Sequence, residues 1–308
     1  MTASPRTTPI RRCVVAGGSG AVGALFGELL AAAGADVCVV DPAPPRAAWP
    51  GVRHLPGDVT APDDRLRAEL AATDLLLLAV PEPVALAAVP GLPGVLNPDA
   101  LFADTLSVKS RVAAAITAHL PEQQALGLNP MFAPALDMAG RPVAAVVLHD
   151  GPLVHELLRL ITEHGGRVVR MDAHRHDRVT AACQVLTHAT VLSFGRALST
   201  LDVTIDELAA VAPPPHAVLL ALLARIVTGT PEVYWDIQSA NPFAPDARDA
   251  LAQGVRWLQD LTRDGSEEEF ARSLHAFSQV LGNRLPHYQD VCATLFARMP
   301  TVEPEETP

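Results

Sequence analysis

Lysine is almost missing from this sequence: Lys109 is the only one, and, histidines aside, every other basic side chain is arginine. With its alanine and proline bias, the chain has the composition of a GC-rich genome. Cysteine is also scarce. Cys13, Cys38, Cys183 and Cys292 are scattered with no C-x-x-C, which reads as four reduced core residues of a cytoplasmic protein. Positive charge is in deficit, with a net charge of -11, and that argues against a nucleic acid or an anionic membrane as partner. No apolar run approaches membrane-spanning length. The stretch that follows Arg6, Arg11 and Arg12 is too short before its glycines to be a signal peptide. His174 and His176 have no third ligand at a suitable spacing, so no metal centre is expected. There is no internal repeat, no pair of catalytic carboxylates and no Ser/His/Asp arrangement above chance.

The chain of 308 residues, 49% hydrophobic, is long enough for two domains with sizeable cores. Residues 13–41 organise the first. A short apolar strand runs into Gly18-Ser19-Gly20-Ala21-Val22-Gly23, a helix follows to about Gly34, and a second apolar strand closes on Asp41. Strand, G-x-G-x-x-G turn, helix, strand and acid in that order predict a dinucleotide site of the Rossmann type. Gly18 is expected to make the tight turn, Gly20 to let a pyrophosphate approach the backbone, and Gly23 to let helix and strand pack closely. The helix N-terminus favours the phosphate charge. Asp41 would bond an adenosine ribose and repel a 2′-phosphate, which favours NAD over NADP.

Further along, Pro42 to Asp64 reads as an irregular crossover, and 74–81 as a buried parallel strand stopped by Pro81. Its following loop, with Val80 and Pro81, is placed at the cofactor edge. Strands over 101–104, 125–128, 143–148 and 167–171 alternate with helices through about Asp172. Helices alone follow, including one long helix over 175–201 and a last one that starts at a capping box, Ser266–Glu269, and is kinked by Pro286. The fold class expected is α/β: an N-terminal Rossmann-type doubly wound sheet over 11–172, then an all-helical C-terminal domain over 173–300. Residues 1–10 and 301–308 are expected to be flexible ends.

Arg225 is the only charge in the apolar helix 217–227, and such a guanidinium calls for an anionic partner or a path to water. His176, Thr180, Gln184 and His188 recur every four residues as a polar stripe that lines a cleft or faces solvent. Ser107 and Lys109 lie in a strand-to-helix loop where substrate contacts are expected, although a helix N-cap and a surface cation are the plain alternatives. Asn129, before Pro130, is by default a turn residue.

Several motifs together resemble the prephenate dehydrogenases of the TyrA type over residues 12–300. They are GGSGAVG with Asp41, LAVP at 78–81, DTLSVKS at 104–110, GLNPMFAP at 127–134, His176-Asp177 with His188, and ARIVTGTPEVYWDI at 224–237. The resemblance implies NAD as cofactor, hydride removal from C4 of a cyclohexadiene with CO2 loss from C1, a small anionic substrate and a homodimer. By position it implies that Arg225 holds the ring carboxylate, that His188 and Tyr234 surround the side chain, that Ser107 bonds the C4 group and that His176 orders the pocket. Gln184 and Lys109 join this substrate set. The family pattern has His where this chain has Asn129, and an amide cannot take a proton near neutral pH. A C4 amine needs no base for hydride to leave, so the resemblance points to the branch acting on 4-amino-4-deoxyprephenate. Prephenate or arogenate dehydrogenation and a weakly catalytic NAD-binding regulator are the alternatives.

Overall fold

The computed structural model describes residues 9–44 and 51–299. Of the expected flexible ends, 1–10 and 301–308, residues 1–8 and 301–308 lie outside the described residues, as does the middle of the crossover after Asp41, whereas Ile10 is fully buried in the core and so belongs to the fold. By internal contacts the chain divides into two units. One comprises the described residues up to Thr180 together with Trp235–Pro242, the other Ala181–Tyr234 and the described residues from Phe243 onward.

The first unit is built on an eight-stranded sheet. Its strands are β1 (Arg12–Ala16), β2 (Asp36–Val40), β3 (Val52–Leu55), β4 (Leu75–Leu78), β5 (Leu101–Asp104), β6 (Gln124–Pro130), β7 (Pro142–His149) and β8 (Arg167–Arg170), in spatial order 3-2-1-4-5-6-7-8. All neighbours are parallel except β6 and β7. The order reverses between β1 and β4, the switch point at which doubly wound sheets bind ligands beyond the strand C-termini. Alternation carries both cores. Leu75 and Leu77 pack with Phe26, Leu30, Leu157 and Ile161 of helices α1 (Ala21–Ala32) and α5 (Pro152–Glu163). Leu76 and Leu78 face the other way, toward Leu66, Leu70, Ala85 and Ile116 of α2 (Asp64–Ala72), α3 (Glu82–Ala88) and α4 (Ser110–His119). A run of four leucines therefore serves two faces at once, as a fully buried parallel strand must.

Three expectations are corrected. The crossover after Asp41 contains a strand, β3, paired in parallel with β2. It is a short edge strand with exposed Arg53 in its middle, so its apolar signal is weak. The helix expected over 175–201 is α6 (Ala173–Thr180), a π-helical turn over Ala181–Val185 and α7 (Leu186–Leu198), and the division between units falls inside that segment. The last helix is not kinked at Pro286. It ends as α12 (Glu267–Leu281) at Gly282, whose φ of 53° suits glycine, and α13 (Leu285–Ala297) begins with Pro286 in its first turn, where no N–H is missed.

In the second unit α8 (Ile205–Val211) opens on a Thr204/Glu207 capping box and α12 on the expected Ser266/Glu269 box. α9 (Pro214–Val227) approaches α7 closely at Gly195, where a Cβ would stand 2.7 Å from Leu223. α11 (Ala244–Asp264) also belongs to this unit, while α10 (Pro231–Ser239) is divided between the units after Tyr234. Among the described residues no single helix is long and apolar enough to cross a membrane.

Candidate active site

At the switch point, Gly17 rather than Gly18 makes the tight turn. Its φ is 77°, and a Cβ there would stand 2.2 Å from the Ala79 carbonyl oxygen. Gly18 is needed for packing, since a Cβ would lie 2.7 Å from the Val39 methyls. Gly23 is needed for the helix approach, because a Cβ there would stand only 2.4 Å from the Gly17 carbonyl oxygen. Gly20 differs: it is exposed, and a Cβ would meet only Gly17 O at 3.3 Å, so its missing side chain leaves room on the open side of the turn. Gly20 gives α1 no side-chain cap and the first turn carries no acid, so the N–H groups near Ala21 and Val22 have no competing anion of their own. Asp41 follows β2 directly. Its carboxylate accepts the Ser19 N–H at 3.3 Å and the Ala43 N–H at 3.1 Å, while its carbonyl meets His54 Nε2 at 3.0 Å. Ser19 Oγ donates to Ala43 O at 2.7 Å, tying the glycine turn to the end of β2. The Ala79–Val80 loop lies against Gly17, and Pro81 precedes α3, as the sequence places them.

Beside this turn, at the ends of β5 and β6, the first unit buries a chain of polar side chains. Asn129 is not a turn residue. It lies within β6, paired with Ala144 of β7 and 3% exposed, because the antiparallel pairing carries the strand through Pro130. Its Nδ2 is 3.1 Å from His176 Nε2, and His176 Nδ1 is 2.8 Å from Asp177 Oδ1. His176 and Asp177 are fully buried. Asp177 also caps α4 from outside that helix, accepting the N–H groups of Lys109 and Ser110 at 2.8 Å each. Ser107 is therefore not the cap; it is half-buried, and its hydroxyl has no hydrogen bond to the described residues. Burial alone would raise the Asp177 carboxyl, but hydrogen bonds from His176, Ser110 and Lys109 hold it below the usual carboxylate range.

Lys109 stands elsewhere than a substrate cation would. It is 1% exposed, its ammonium pairs with Asp104 and donates to Leu128 O at 2.7 Å, and burial pushes its pKa down against the pull of Asp104. Gly127 makes room, since a Cβ there would lie 2.9 Å from Lys109 Cδ. The ammonium is thus committed inside the protein, and the side chain is a strut between β5 and β6. Sequence reasoning passed over Asp104, and over Asn241, whose Nδ2 donates to Asp177 O at 2.9 Å and to Thr180 Oγ1 at 3.2 Å. Asp177 could be seen only through its place beside His176. Asn241, before Pro242 at a helix end, carries no signal of its own.

In the second unit His188 is half-buried and edge-on to Tyr234, with ring centroids 5.1 Å apart. Burial, and then the positive charge of Arg225, hold the His188 pKa below its ordinary value. His188 Nδ1 and Gln184 Oε1 are both buried without a partner among the described residues. Tyr234 packs on Gly229, where a Cβ would stand 2.6 Å from the ring. Arg225, in the last turn of α9, is exposed and forms no ion pair with the described residues. The stripe read from the sequence is thus divided: His176 and Thr180 are interior residues of the first unit, and Gln184 and His188 belong to the second.

Residues 172–276 match the family model described as the prephenate dehydrogenase dimerization domain. A 4-amino-4-deoxyprephenate dehydrogenase of Streptomyces pristinaespiralis is 51% identical over 288 residues, covering 94% of this chain and 97% of that protein. The T-protein of Enterobacter agglomerans is 30% identical over 289 residues, covering 91% of this chain and 70% of that protein. Among solved structures, prephenate dehydrogenase from A. aeolicus in complex with hydroxyphenyl propionate and NAD+ superposes with a TM-score of 0.71 at 18% identity, covering 90% of this chain and all of that one. Synechocystis arogenate dehydrogenase has the same fold, with a TM-score of 0.67 at 17% identity, covering 90% and 99%. The glycine turn, the buried Asn129–His176–Asp177 chain and identity sustained along nearly the whole length of a named dehydrogenase place this chain in the prephenate dehydrogenase family.

Proposed function

We propose that this protein is an NAD-dependent dehydrogenase that oxidatively decarboxylates 4-amino-4-deoxyprephenate to 4-aminophenylpyruvate. The side chain at position 129 carries the reading. A buried amide stands in β6 where the family pattern has an imidazole, and an amide can orient a C4 substituent but cannot accept its proton. A neutral amine on C4 releases hydride without a base, because its lone pair forms the C=N bond as the C4–H bond breaks. Loss of CO2 from C1 then returns the electron pair to the ring and leaves an arylamine. The 51% identical relative, named for that substrate, supports the same conclusion.

The open turn at Gly20 and the uncapped start of α1 fit a pyrophosphate, and Asp41 fits an unphosphorylated ribose. NAD, when bound, supplies the hydride acceptor. Gly18, Ser19, Gly20, Ala21, Val22 and Gly23 would hold its phosphates, with Val80 and Pro81 beside them. Ser107, whose hydroxyl makes no hydrogen bond to the described residues, and Asn129 orient the C4 substituent, and His176 orders Asn129. In the second unit Arg225, which forms no ion pair with the described residues, is assigned to a substrate carboxylate, with His188, Gln184 and Tyr234 around the side chain. We assign the protein to the cytoplasm, where its four free thiols suit reducing conditions, and to a homodimer.

The test is NADH formation by purified protein with NAD and each of 4-amino-4-deoxyprephenate and prephenate. A kcat/KM much larger for the amine is expected. Equal or greater activity on prephenate would overturn the substrate assignment and make the chain a hydroxyl-selective member of the family.

A further inference from the structure

The hydrogen-bond chain behind Asn129 has a direction, and the direction decides which atom of the amide is left for substrate. Asp177 is held as a carboxylate by the N–H groups of Lys109 and Ser110, so it can only accept. His176 Nδ1, 2.8 Å away, must therefore carry a proton. A neutral imidazole protonated at Nδ1 offers a lone pair at Nε2, and Asn129 answers with its Nδ2 at 3.1 Å. The amide oxygen, Oδ1, then makes no hydrogen bond to the described residues. Both ends of this chain are tied down. Thr180 Oγ1 donates to the carbonyl of His176 at 3.0 Å, and Asn241 bonds the Asp177 carbonyl and Thr180 Oγ1. Lys109 reaches both ends, its backbone N–H on Asp177 and its ammonium on Leu128 O, one residue before Asn129.

We infer that His176 and Asp177 are positioning residues that fix the Asn129 amide with its oxygen free, so that position 129 presents a hydrogen-bond acceptor, Oδ1, to the substrate. This rests on the proposed function and deepens it. An acceptor at C4 bonds an amine N–H while leaving the nitrogen lone pair to enter the ring. A flipped amide would donate to that lone pair and withhold it from the reaction. The buried pair thus selects the amide orientation in which an amine stays reactive.

The test has a spectroscopic arm and a kinetic arm. In protein labelled with 15N-histidine, the His176 resonances, assigned by their loss in His176→Gln, should report a proton on Nδ1 and a lone pair on Nε2. A proton on Nε2 overturns the inference whatever the activity. In the kinetic arm, glutamine at 176 can donate to Asp177 and accept from Asn129, whereas phenylalanine can do neither. His176→Gln should keep kcat/KM for 4-amino-4-deoxyprephenate within a few-fold. His176→Phe should lose about 10- to 100-fold, mostly in kcat, with the KM for NAD unchanged. Equal losses in the two variants, or none in His176→Phe, would overturn the inference. If His176→Phe fails to fold, the 15N measurement on the native protein decides alone. Native protein inactive on both cyclohexadienes would instead strike the proposed function and leave the tautomer result standing.

Discussion

At the scale of single residues, cofactor choice and substrate anchoring rest, in the proposed function, on one charge each. Asp41 binds two backbone N–H groups of its own surroundings and keeps a negative charge at the end of β2, where a 2′-phosphate would be repelled. Asp41→Asn should raise the KM for NAD about tenfold, the cost of a charge-assisted hydrogen bond weakened to a neutral one, and should narrow the preference over NADP. Steady-state kinetics with the two cofactors at fixed substrate reads both effects, and an unchanged ratio would remove Asp41 from cofactor selection. Arg225 has no partner among the described residues, so its guanidinium is available for a carboxylate. Arg225→Ala should lower kcat/KM by about 100-fold or more, and Arg225→Lys should recover little of it, because lysine cannot present the bidentate fork. Full activity in Arg225→Lys would mean that a point charge suffices.

At the scale of elements, the strut from Lys109 joins β5, β6 and α4 and places the loop that carries Ser107. Its ammonium and the Asp104 carboxylate are both buried, and Asp104 Oδ2 has no partner among the described residues, so each charge relies on the other. Removing the cation alone, as in Lys109→Ala, leaves an uncompensated buried carboxylate and should cost about 3–5 kcal/mol in urea unfolding. A loss under about 1 kcal/mol would show that water replaces the ammonium. This is also where the sequence was least legible. The opening strand-turn-helix-strand unit, the alternating elements to 170 and the two capping boxes are local signals, written in neighbouring residues. The role of Lys109 depends on Asp104 and Leu128, and that of Asn129 on a strand pairing with β7 that no local pattern announces. Its lone-lysine status marked Lys109 as unusual, but only burial tells a strut from a substrate cation. For the same reason the motif placed the tight turn at Gly18, whereas the clash that forbids a side chain at Gly17 comes from Ala79, far along the chain.

At the scale of the whole molecule, two consequences follow from what is buried and what is not. Asp177 has a folded pKa below its unfolded one, so its contribution to stability is fully present above about pH 4 and is lost as pH falls through the depressed value. His188, also depressed, adds to the loss below about pH 6.5, where the unfolded histidine gains a proton that the folded one resists. The midpoint of urea unfolding should therefore fall first below about pH 6.5 and further below about pH 4; a midpoint constant from pH 7 to pH 4 would contradict the His188 shift, and one that does not fall further below pH 4 would contradict the Asp177 shift. The helical unit has the larger consequence. Across α11, α12 and α13 only Ala244 is buried, while Trp257, Phe270, Leu274, Phe277 and Leu281 are exposed. On α12 the last four fall at i, i+4, i+7 and i+11, one stripe along one face, with Trp257 of α11 edge-on to Phe277 at 5.5 Å. An apolar surface of that extent is the mark of an interface, and the stripe suits a second copy of the same chain. Sedimentation equilibrium should give a dimer at micromolar protein, with an interface of about 2,000 Å² or more. Phe277→Asp places a charge in the middle of the stripe and should shift the protein toward monomer. The native thermal midpoint should rise with protein concentration, because assembly contributes to stability by mass action, and that of Phe277→Asp should be lower and lose the dependence. If the native protein sediments as a monomer and Phe277→Asp leaves the midpoint unchanged, the exposed stripe is not a self-association surface and the dimer assignment fails.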